Sequence, residues 1–354
     1  MDEKLLLLSK YFYYKPIEFR KILMGFNNLE QIMEAPKDVF FKLGIHGAAL
    51  DSFIEGRNNV GVQNSEPLQN NVKILTILDN EYPEKLKHLC DAPPILFYKG
   101  DLSCLNGSCL AVIGSRKITE YGKRAGQQFV KGLCNDFIIV SGLAYGVDGL
   151  AHKITVDNNG KTIAVLGSGL DNNSIYPKTN VNLAQEIVEK GGLLLSEIPP
   201  GIGPQVFHFP MRNRVIAGLS QGILIVEGGK KSGTLITAKL GIDYGADIFA
   251  VPNNIFHPNS EGVNYLIKCG AHPVTSAGDI LEFYGIEKKE VKKIYAPKSD
   301  LEKMILDNLS GDPKHINNLS ELLKAEVMEL MGVLTDLEME GVVKNLGGQR
   351  YIRI

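Results

Sequence analysis

The feature that most constrains this chain is an alternation of short apolar runs with longer amphipathic stretches, which begins at Val72. The apolar runs are 74–78, 110–113, 137–140, 162–166, 193–195, 223–226 and 248–251. The stretches with helical spacing are 121–134, 144–156, 180–190, 214–219 and 235–244. Strands that are apolar on both faces need cover on both faces, and the intervening helices supply it. The pattern therefore predicts a doubly wound α/β domain with a mostly parallel sheet.

The segments that flank this domain have other patterns. Residues 1–62 show helical periodicity without a strand signal, and a polar linker follows at 58–71. Residues 299–354 contain three short helical segments, then a Gly347-Gly348 turn inside a β-ribbon, which is typical of a winged helix. A lysine-rich stretch at 285–298 precedes them. We therefore predict three domains: 1–62, 71–286 and 299–354.

Bulk properties exclude several classes of protein. The five cysteines contain no CxxC pair, so neither a disulfide framework nor a zinc ribbon is expected, and the thiols are predicted to be reduced and mostly buried. No segment has the roughly 20 apolar residues of a membrane helix, and no secretory signal is evident, so a cytoplasmic protein is expected. The net charge of −2 means that any site for a polyanion has to be a local patch.

Ligands of open parallel sheets bind beyond the carboxyl ends of the strands. We call the segments that follow those ends the strand exits, and five of them carry glycines, hydroxyls or cations: 113–122, 141–152, 166–178, 207–214 and 227–234. In the first, Gly114 allows close backbone approach, Ser115 offers a hydroxyl, and Arg116 can hold a phosphate with two hydrogen bonds. In the second, Asp148 and His152 lie one helical turn apart, and a structural role is favoured over acid–base catalysis.

The remaining exits favour an anion site over nucleotide chemistry. The third lacks the dinucleotide fingerprint because Asn172 stands where a glycine is needed, and its Lys178 is either a phosphate ligand or a solvated lysine. The fourth interleaves Phe207 and Phe209 with Arg212 and Arg214, a composition suited to single-stranded nucleic acid, although each phenylalanine alone is more often a core residue. The fifth lacks the P-loop pattern. Its anion-binding candidates at a helix start are Lys230, Lys231, Ser232 and Thr234.

Together these segments resemble the DprA/Smf family of DNA-processing proteins. The similarity is carried by VIGSRKITEYG at 112–122, SGLAYGVDGLAH at 141–152, GKTIAVLGSGLDNNSIYP at 160–177, LLSEIPPG at 194–201, FHFPMRNRVIAGLS at 207–220 and EGGKKSGTLITA at 227–238. It implies a Rossmann-like domain that binds single-stranded DNA, protects it and helps to load RecA recombinase in natural transformation. It also implies a homodimer without a cofactor, a metal or an enzymatic activity. The implied DNA-binding residues are Gly114, Ser115, Arg116, Gly142, Lys178, Phe209, Arg212, Arg214, Lys230, Lys231, Ser232 and Thr234.

The flanking domains carry expectations of their own. The first resembles the family's small helical domain, related to SAM and helix-hairpin-helix folds, but 11–16 replaces a glycine-rich hairpin with Tyr-Phe-Tyr-Tyr-Lys-Pro. Without those glycines the backbone cannot approach phosphate closely, so no DNA binding is expected there. The candidate recognition helix of the winged helix, 325–340, has five carboxylates and no Lys or Arg. An acidic face repels phosphate, which favours contact with protein.

Two alternatives from other classes stay open. Related α/β folds hydrolyse nucleoside monophosphates at the same strand exits, with Glu227 as the candidate catalytic group in this chain. Cations supply no general base, which weighs against this enzyme. A transcription regulator built on the winged helix is the second alternative, and the acidic recognition helix weighs against it.

Overall fold

The structure is a computed structural model that describes residues 2–59, 71–230, 232–287, 297–310 and 312–353. The chain divides into two compact units, Met1–Glu287 and Lys288–Ile354. Most of both expected linkers lies outside the described residues, and so does Lys231. The domain boundaries near those linkers stay predictions. Among the described residues no helix is long and apolar enough to cross a membrane.

The first unit combines a nine-stranded sheet with helices on both sides. Its helices are α1 (Asp2–Phe12), α2 (Pro16–Gly25), α3 (Leu29–Glu34), α4 (Lys37–Lys42), α5 (Ala48–Asn59), α6 (Glu84–Lys87), α7 (Glu120–Leu133), α8 (Val147–Asp157), α9 (Val181–Glu189), α10 (His208–Leu219), α11 (Gly233–Asp243), α12 (Glu261–Lys268) and α13 (Ala277–Phe283). Its strands are β1 (Lys73–Thr76), β2 (Ile95–Gly100), β3 (Cys109–Ile113), β4 (Ile138–Ser141), β5 (Thr162–Leu166), β6 (Leu193–Ser196), β7 (Gly222–Ile225), β8 (Asp247–Ala250) and β9 (His272–Pro273).

The strand order is β1-β2-β6-β5-β4-β3-β7-β8-β9. All pairs from β6 to β9 are parallel, whereas β1–β2 and β2–β6 are antiparallel. The predicted doubly wound, mostly parallel sheet is therefore confirmed. From β3 the chain adds strands on one side up to β6 and then returns to the other side at β7. The order thus reverses between β3 and β7, which is where open α/β sheets form their ligand crevice.

Burial explains which strands the apolar pattern predicts. Every residue of β3 and of β5 is buried, as expected for strands covered on both faces. The pattern misses β2, whose second half, Tyr98 to Gly100, is partly exposed and lacks the continuous apolar signature. Helix α10 begins at His208, not at Arg214 as the periodicity indicates, so the fourth predicted exit is itself mostly helical.

The five amino-terminal helices pack on the sheet and share its core. Phe12, Phe19 and Phe53 of these helices belong to one hydrophobic cluster with sheet residues such as Phe97 and Leu166. Hydrophobic burial of this kind is worth roughly 25 cal/mol per Å² of apolar surface. The helices are therefore held against the sheet by a continuous core as well as by the chain connection.

The second unit is a small winged helix. Its elements are α14 (Asp300–Asn308), β10 (Lys314–His315), α15 (Ile316–Leu323), α16 (Val327–Met339), β11 (Val343–Asn345) and β12 (Arg350–Arg353). The strands form an antiparallel sheet in the order β10-β12-β11. The wing turns through Gly347 and Gly348, whose φ angles of 89° and 59° fall in the region that favours glycine. The predicted three helices and glycine-turned ribbon are confirmed.

Candidate nucleic-acid interface

The exit of β3 lies at the reversal of strand order. Gly114 is packed so tightly that a Cβ would meet Val147 Cγ2 at 2.5 Å and the Glu227 carbonyl at 3.0 Å. The Ser115 hydroxyl is used inside the loop, because its Oγ accepts the Lys117 N–H at 3.1 Å and donates to the Lys117 carbonyl at 3.0 Å. The loop is therefore closely packed and internally hydrogen-bonded. Its next side chain, Arg116, is exposed.

Arg116 lies against an aromatic surface. Its guanidinium carbon is 4.8 Å from the centre of the Phe209 ring, within the range of a cation–π contact. Phe209 contacts Tyr176 with ring centres 6.1 Å apart, and Tyr176 contacts Tyr145 at the same separation. Tyr145 and Tyr176 are 41% and 39% exposed. Three rings from the exits of β4 and β5 and from α10 thus form one open surface beside a cation, which we call the aromatic platform.

Tyr145 and Tyr176 are absent from the site predicted by the sequence, although both fall inside the quoted motif segments. The sequence does contain a feature that could have identified them, because each tyrosine lies on the exit of a buried strand. Aromatic side chains at neighbouring exits of a parallel sheet come together at the same edge. The spacing along the chain does not show this, since the two tyrosines are separated by a complete helix and strand.

Two buried polar side chains accept hydrogen bonds from the backbone of the β4 exit. The Gly142 N–H donates to Asp148 Oδ2 at 3.2 Å, and the Leu143 N–H donates to His152 Nε2 at 3.3 Å. Burial raises the pKa of Asp148 and lowers the pKa of His152 to about 3. Both side chains thus hold the backbone turn, which agrees with the structural role favoured from the sequence. Their burial leaves neither one open to a substrate.

Arg212 and Arg214 lie inside the molecule, with 6% and 5% of their surface exposed. One Arg212 nitrogen donates to the carbonyls of Gly142 and of Val165, the latter at 2.6 Å. Burial lowers the pKa of Arg212 to about 10. Gly142 has no room for a side chain, because a Cβ would fall on the Arg212 guanidinium. In this conformation Arg212 ties the exits of β4 and β5 to α10, and its predicted contact with DNA stays a prediction.

Arg214 forms an internal ion pair with Glu197 and donates to the Asp91 carbonyl. Burial raises the pKa of Glu197, while the neighbouring guanidinium opposes this shift. Both arginines point inward because α10 is covered on more than one side, with eight of its twelve residues buried. Arg212 faces the Val165 carbonyl, and Arg214 faces Glu197. As with Arg212, a direct phosphate contact of Arg214 is a prediction that its present partners do not favour.

Lys178 is exposed and lies just beyond Tyr176. Its Nζ donates to the Asn172 carbonyl at 3.2 Å and to the Asn173 carbonyl at 2.6 Å. An ammonium group has three donors, so two carbonyl contacts leave one proton for an anion. Lys178 therefore has capacity to bind a phosphate beside the aromatic platform while it stabilises its own loop.

The exit of β7 faces that of β3 across the reversal. Lys230 is exposed, and Ser232 caps α11 by accepting the Thr234 N–H at 3.1 Å. The Ser232 and Thr234 hydroxyls are 2.6 Å apart, and Thr234 is buried. These hydroxyls therefore mainly build the start of the helix. Among the described side chains of this exit, Lys230 is the cation that is open to solvent.

Glu227 has a structural environment as well. It is fully buried, and its carboxylate accepts the Thr119 N–H at 2.9 Å and the Thr119 hydroxyl at 2.7 Å. Thr119 in turn caps α7. Glu227 thus joins the exits of β3 and β7. Within the described parts of the chain, no group of three or more His, Cys, Asp or Glu side chains is arranged to hold a metal ion.

The assembled site has the chemistry of a polyanion surface with rings for planar groups. Arg116, Lys178 and Lys230 are exposed cations around the aromatic platform. Asp148, His152 and Glu227 of the strand exits are buried and bonded to the backbone or to Thr119. Phosphates and nucleobases match this arrangement, because cations neutralise phosphate and aromatic faces stack on any base.

The chain matches two family models and several known proteins. Residues 73–285 match the family model of DNA recombination-mediator protein A, and residues 292–349 match the DprA winged helix domain. The chain is 46% identical over 206 residues to DNA processing protein DprA of Streptococcus pneumoniae, covering 58% of this chain and 72% of the relative. It is 38% identical over 283 residues to protein Smf of Escherichia coli, covering 77% and 75%.

Two solved structures are similar as well. DprA from S. pneumoniae superposes with a TM-score of 0.70 at 36% identity and covers 80% of this chain and 97% of that chain. DprA from Helicobacter pylori, whose structure is described as giving insight into its single-stranded DNA binding mode, superposes with a TM-score of 0.55 at 30% identity. That match covers 61% of this chain and 96% of the other.

Proposed function

This chain belongs to the DprA/Smf family of DNA-processing proteins, and on that premise we propose that it binds single-stranded DNA along the strand exits of its sheet. The observation that carries the proposal is the contact between Arg116 and the aromatic platform. A cation on the same surface as exposed rings suits a strand whose bases are unpaired. Paired bases keep their faces inside the stack, so a duplex offers the rings little to bind.

The biological role that we propose is recombination mediation. The protein would coat single strands, shield them from nucleases and help RecA to assemble on them during natural transformation, acting in the cytoplasm as a homodimer. It would do so without catalysis, because Asp148, His152 and Glu227 are occupied in holding the strand exits. Three assays test these properties separately. Nuclease protection of a labelled oligonucleotide tests shielding, and RecA assembly on DNA coated with single-strand-binding protein tests loading. Light scattering tests the homodimer.

The winged helix has a different proposed role, contact with protein. Helix α16 exposes Glu329 and Asp336 together with Met328 and Met331, and Met328 is 82% exposed. Carboxylates repel the phosphates of a duplex, whereas methionines adapt to apolar protein surfaces. A charge-reversing variant, Glu329→Lys with Asp336→Lys, is expected to leave single-strand affinity within about twofold, because affinity is set by the cations of the other unit.

The binding proposal is tested by competition between single-stranded and duplex DNA. We expect the purified protein to bind a labelled oligo-dT in preference to a duplex of equal length. The double variant Arg116→Ala with Lys230→Ala removes one exposed cation from each of the β3 and β7 exits. It should weaken single-strand binding by at least about 100-fold, since each charge-assisted contact contributes roughly 1.5 kcal/mol or more.

A matched control removes the same charge elsewhere. Lys131 and Lys190 are exposed at the carboxyl ends of α7 and α9, which lie at the opposite edge of the sheet. The double variant Lys131→Ala with Lys190→Ala should retain near wild-type affinity. Equal losses in both double variants would show that only net charge matters and would refute the assigned site.

A further inference from the structure

The hairpin between α1 and α2 touches α10, the helix that supplies Phe209 to the aromatic platform. The Tyr13 hydroxyl and His208 Nε2 are 3.2 Å apart, and the two rings meet edge to face with centres 5.6 Å apart. His208 Nδ1 accepts the Gln205 N–H, so the neutral imidazole carries its proton on Nε2 and donates it to Tyr13. Both side chains are buried. Tyr13 therefore fixes the hairpin between α1 and α2 against the start of α10.

The contact extends to the surface on both sides. Tyr14 packs edge to face on Tyr13 with centres 5.3 Å apart, and Phe207 packs on His208 at 4.5 Å. Tyr14 is 42% exposed and Phe207 is 46% exposed. Four rings thus run in contact from one structural element to the other, with a buried pair in the middle and an open ring at each end.

This row of rings and the aromatic platform both include a ring from the start of α10. Phe207 and Phe209 are two residues apart at the start of α10, and successive helical side chains are rotated by about 100°. Phe209 therefore faces Arg116 and Tyr176, while Phe207 leaves the start of the helix on another side, where its ring contacts His208. Burial in the core explains why Tyr13 and His208 are aromatic. It does not explain why the exposed residues Tyr14 and Phe207 are aromatic.

We propose that a single strand bound at Arg116 and Phe209 continues across Phe207 and stacks a base on Tyr14, so that the amino-terminal helices form a second part of the DNA-binding surface. This inference rests on the proposed function. It revises the expectation that the glycine-free hairpin takes no part in binding. Glycines are required for a backbone that cradles phosphate, whereas stacking requires only an exposed ring held in place, and Tyr13 holds Tyr14.

The test compares two lengths of oligo-dT in the full chain. An oligonucleotide of about 6 nucleotides occupies the platform alone, and one of about 20 reaches the helices as well. Stacking on one aromatic ring contributes roughly 1–3 kcal/mol per base, so Tyr14→Ala should weaken binding of the longer strand by at least about 5-fold. Binding of the shorter strand should be unchanged, and Tyr14→Phe should behave like wild type because the ring remains.

Phe41→Ala is the matched control. Phe41 has the same exposed fraction as Tyr14, 42%, and lies in another of the amino-terminal helices, α4, where it stacks on His46. This variant should bind both lengths like wild type. If Tyr14→Ala and wild type bind the longer strand equally, the inference is overturned while the site at Arg116 stands. If wild type shows no preference for single strands, the proposed function and the inference both fail.

A fluorescence measurement reports on stacking itself. The chain contains no tryptophan, so Tyr14→Trp introduces a single tryptophan at the proposed position, which is excited selectively over the tyrosines. Addition of the longer oligo-dT should quench its emission, an abasic strand of equal length should not, and Phe41→Trp should not respond to either. Equal responses to dT and to the abasic strand would show that phosphate proximity, without stacking, brings the DNA to this surface and would overturn the assignment.

Discussion

Arg116 offers the sharpest test of the DNA site, because its charge and its shape can be removed separately. The side chain is exposed at the reversal of strand order and lies over the Phe209 ring at 4.8 Å. Arg116→Ala removes both the cation and the stacked plane. Arg116→Lys keeps the charge but loses the planar group that holds phosphate with two hydrogen bonds and stacks on the ring.

The expected magnitudes follow from this geometry. A charge-assisted hydrogen bond contributes roughly 1.5–3 kcal/mol, which corresponds to a loss of about 10- to 150-fold in affinity for Arg116→Ala. One fewer neutralised phosphate lowers the slope of log affinity against log salt by about 0.7 for a single strand. Arg116→Lys should keep the wild-type slope and lose about 5-fold in affinity, or about 1 kcal/mol, because lysine lacks the planar group that stacks on the ring and holds phosphate with two hydrogen bonds.

Fluorescence anisotropy of labelled oligo-dT over a series of salt concentrations measures affinity and slope together. Lys131→Ala, at the far edge of the sheet, is the control for a change in net charge. The reasoning is refuted if Arg116→Ala keeps the wild-type slope, because Arg116 would then neutralise no phosphate. Wild-type affinity in Arg116→Lys would instead remove the role assigned to the guanidinium plane.

Three further predictions concern the framework of the site. Burial lowers the pKa of His152 to about 3, so the neutral imidazole contributes its full share of the unfolding free energy above about pH 6.5, and that share declines as the pH falls toward 3. By about pH 5 the loss is about 2 kcal/mol. Urea unfolding at about pH 7.5 and pH 5 should show this difference in wild type and not in His152→Gln. Gly142→Ala places a methyl group on the Arg212 guanidinium and should cost about 1–3 kcal/mol in unfolding free energy, whereas the open Gly203 should accept alanine with little change. Glu227→Gln should lower the melting temperature, because it weakens the hydrogen bonds to Thr119, which caps α7. Chromatography of wild-type reactions with nucleoside monophosphates should detect no free base. Release of base that Glu227→Gln abolishes would restore the enzyme hypothesis.

Much of the site follows from local pattern. Gly114, Arg116 and Lys230 are candidates that the sequence alone suggests, because they follow apolar strands and the carboxyl ends of parallel strands meet at one edge. The winged helix was identifiable from three short periodic segments and a double glycine. In each case the relevant signal lies within about a dozen residues, so one stretch of sequence contains it.

The positions of Arg212 and Arg214 could not be obtained in this way. Both stand in a segment whose composition suits a DNA surface, yet helix α10 begins at His208 and turns both guanidinium groups to buried partners. Whether an arginine faces solvent or a carbonyl depends on which strands pass beneath the helix. Here those are the exits of β4 and β5 and the segment around Asp91, which lie far away along the chain.

By itself the sequence determined the class of fold, the edge of the sheet that carries the site and the cations nearest to the strands, because period and adjacency are local properties of a chain. Only the tertiary structure decided which aromatic rings share a surface. Tyr145, Tyr176 and Phe209 come from three separate elements, and packing of the helices on the sheet brings their rings together. Contacts between distant segments arise from burial of a common core, and no periodicity in one segment encodes the partner that another supplies.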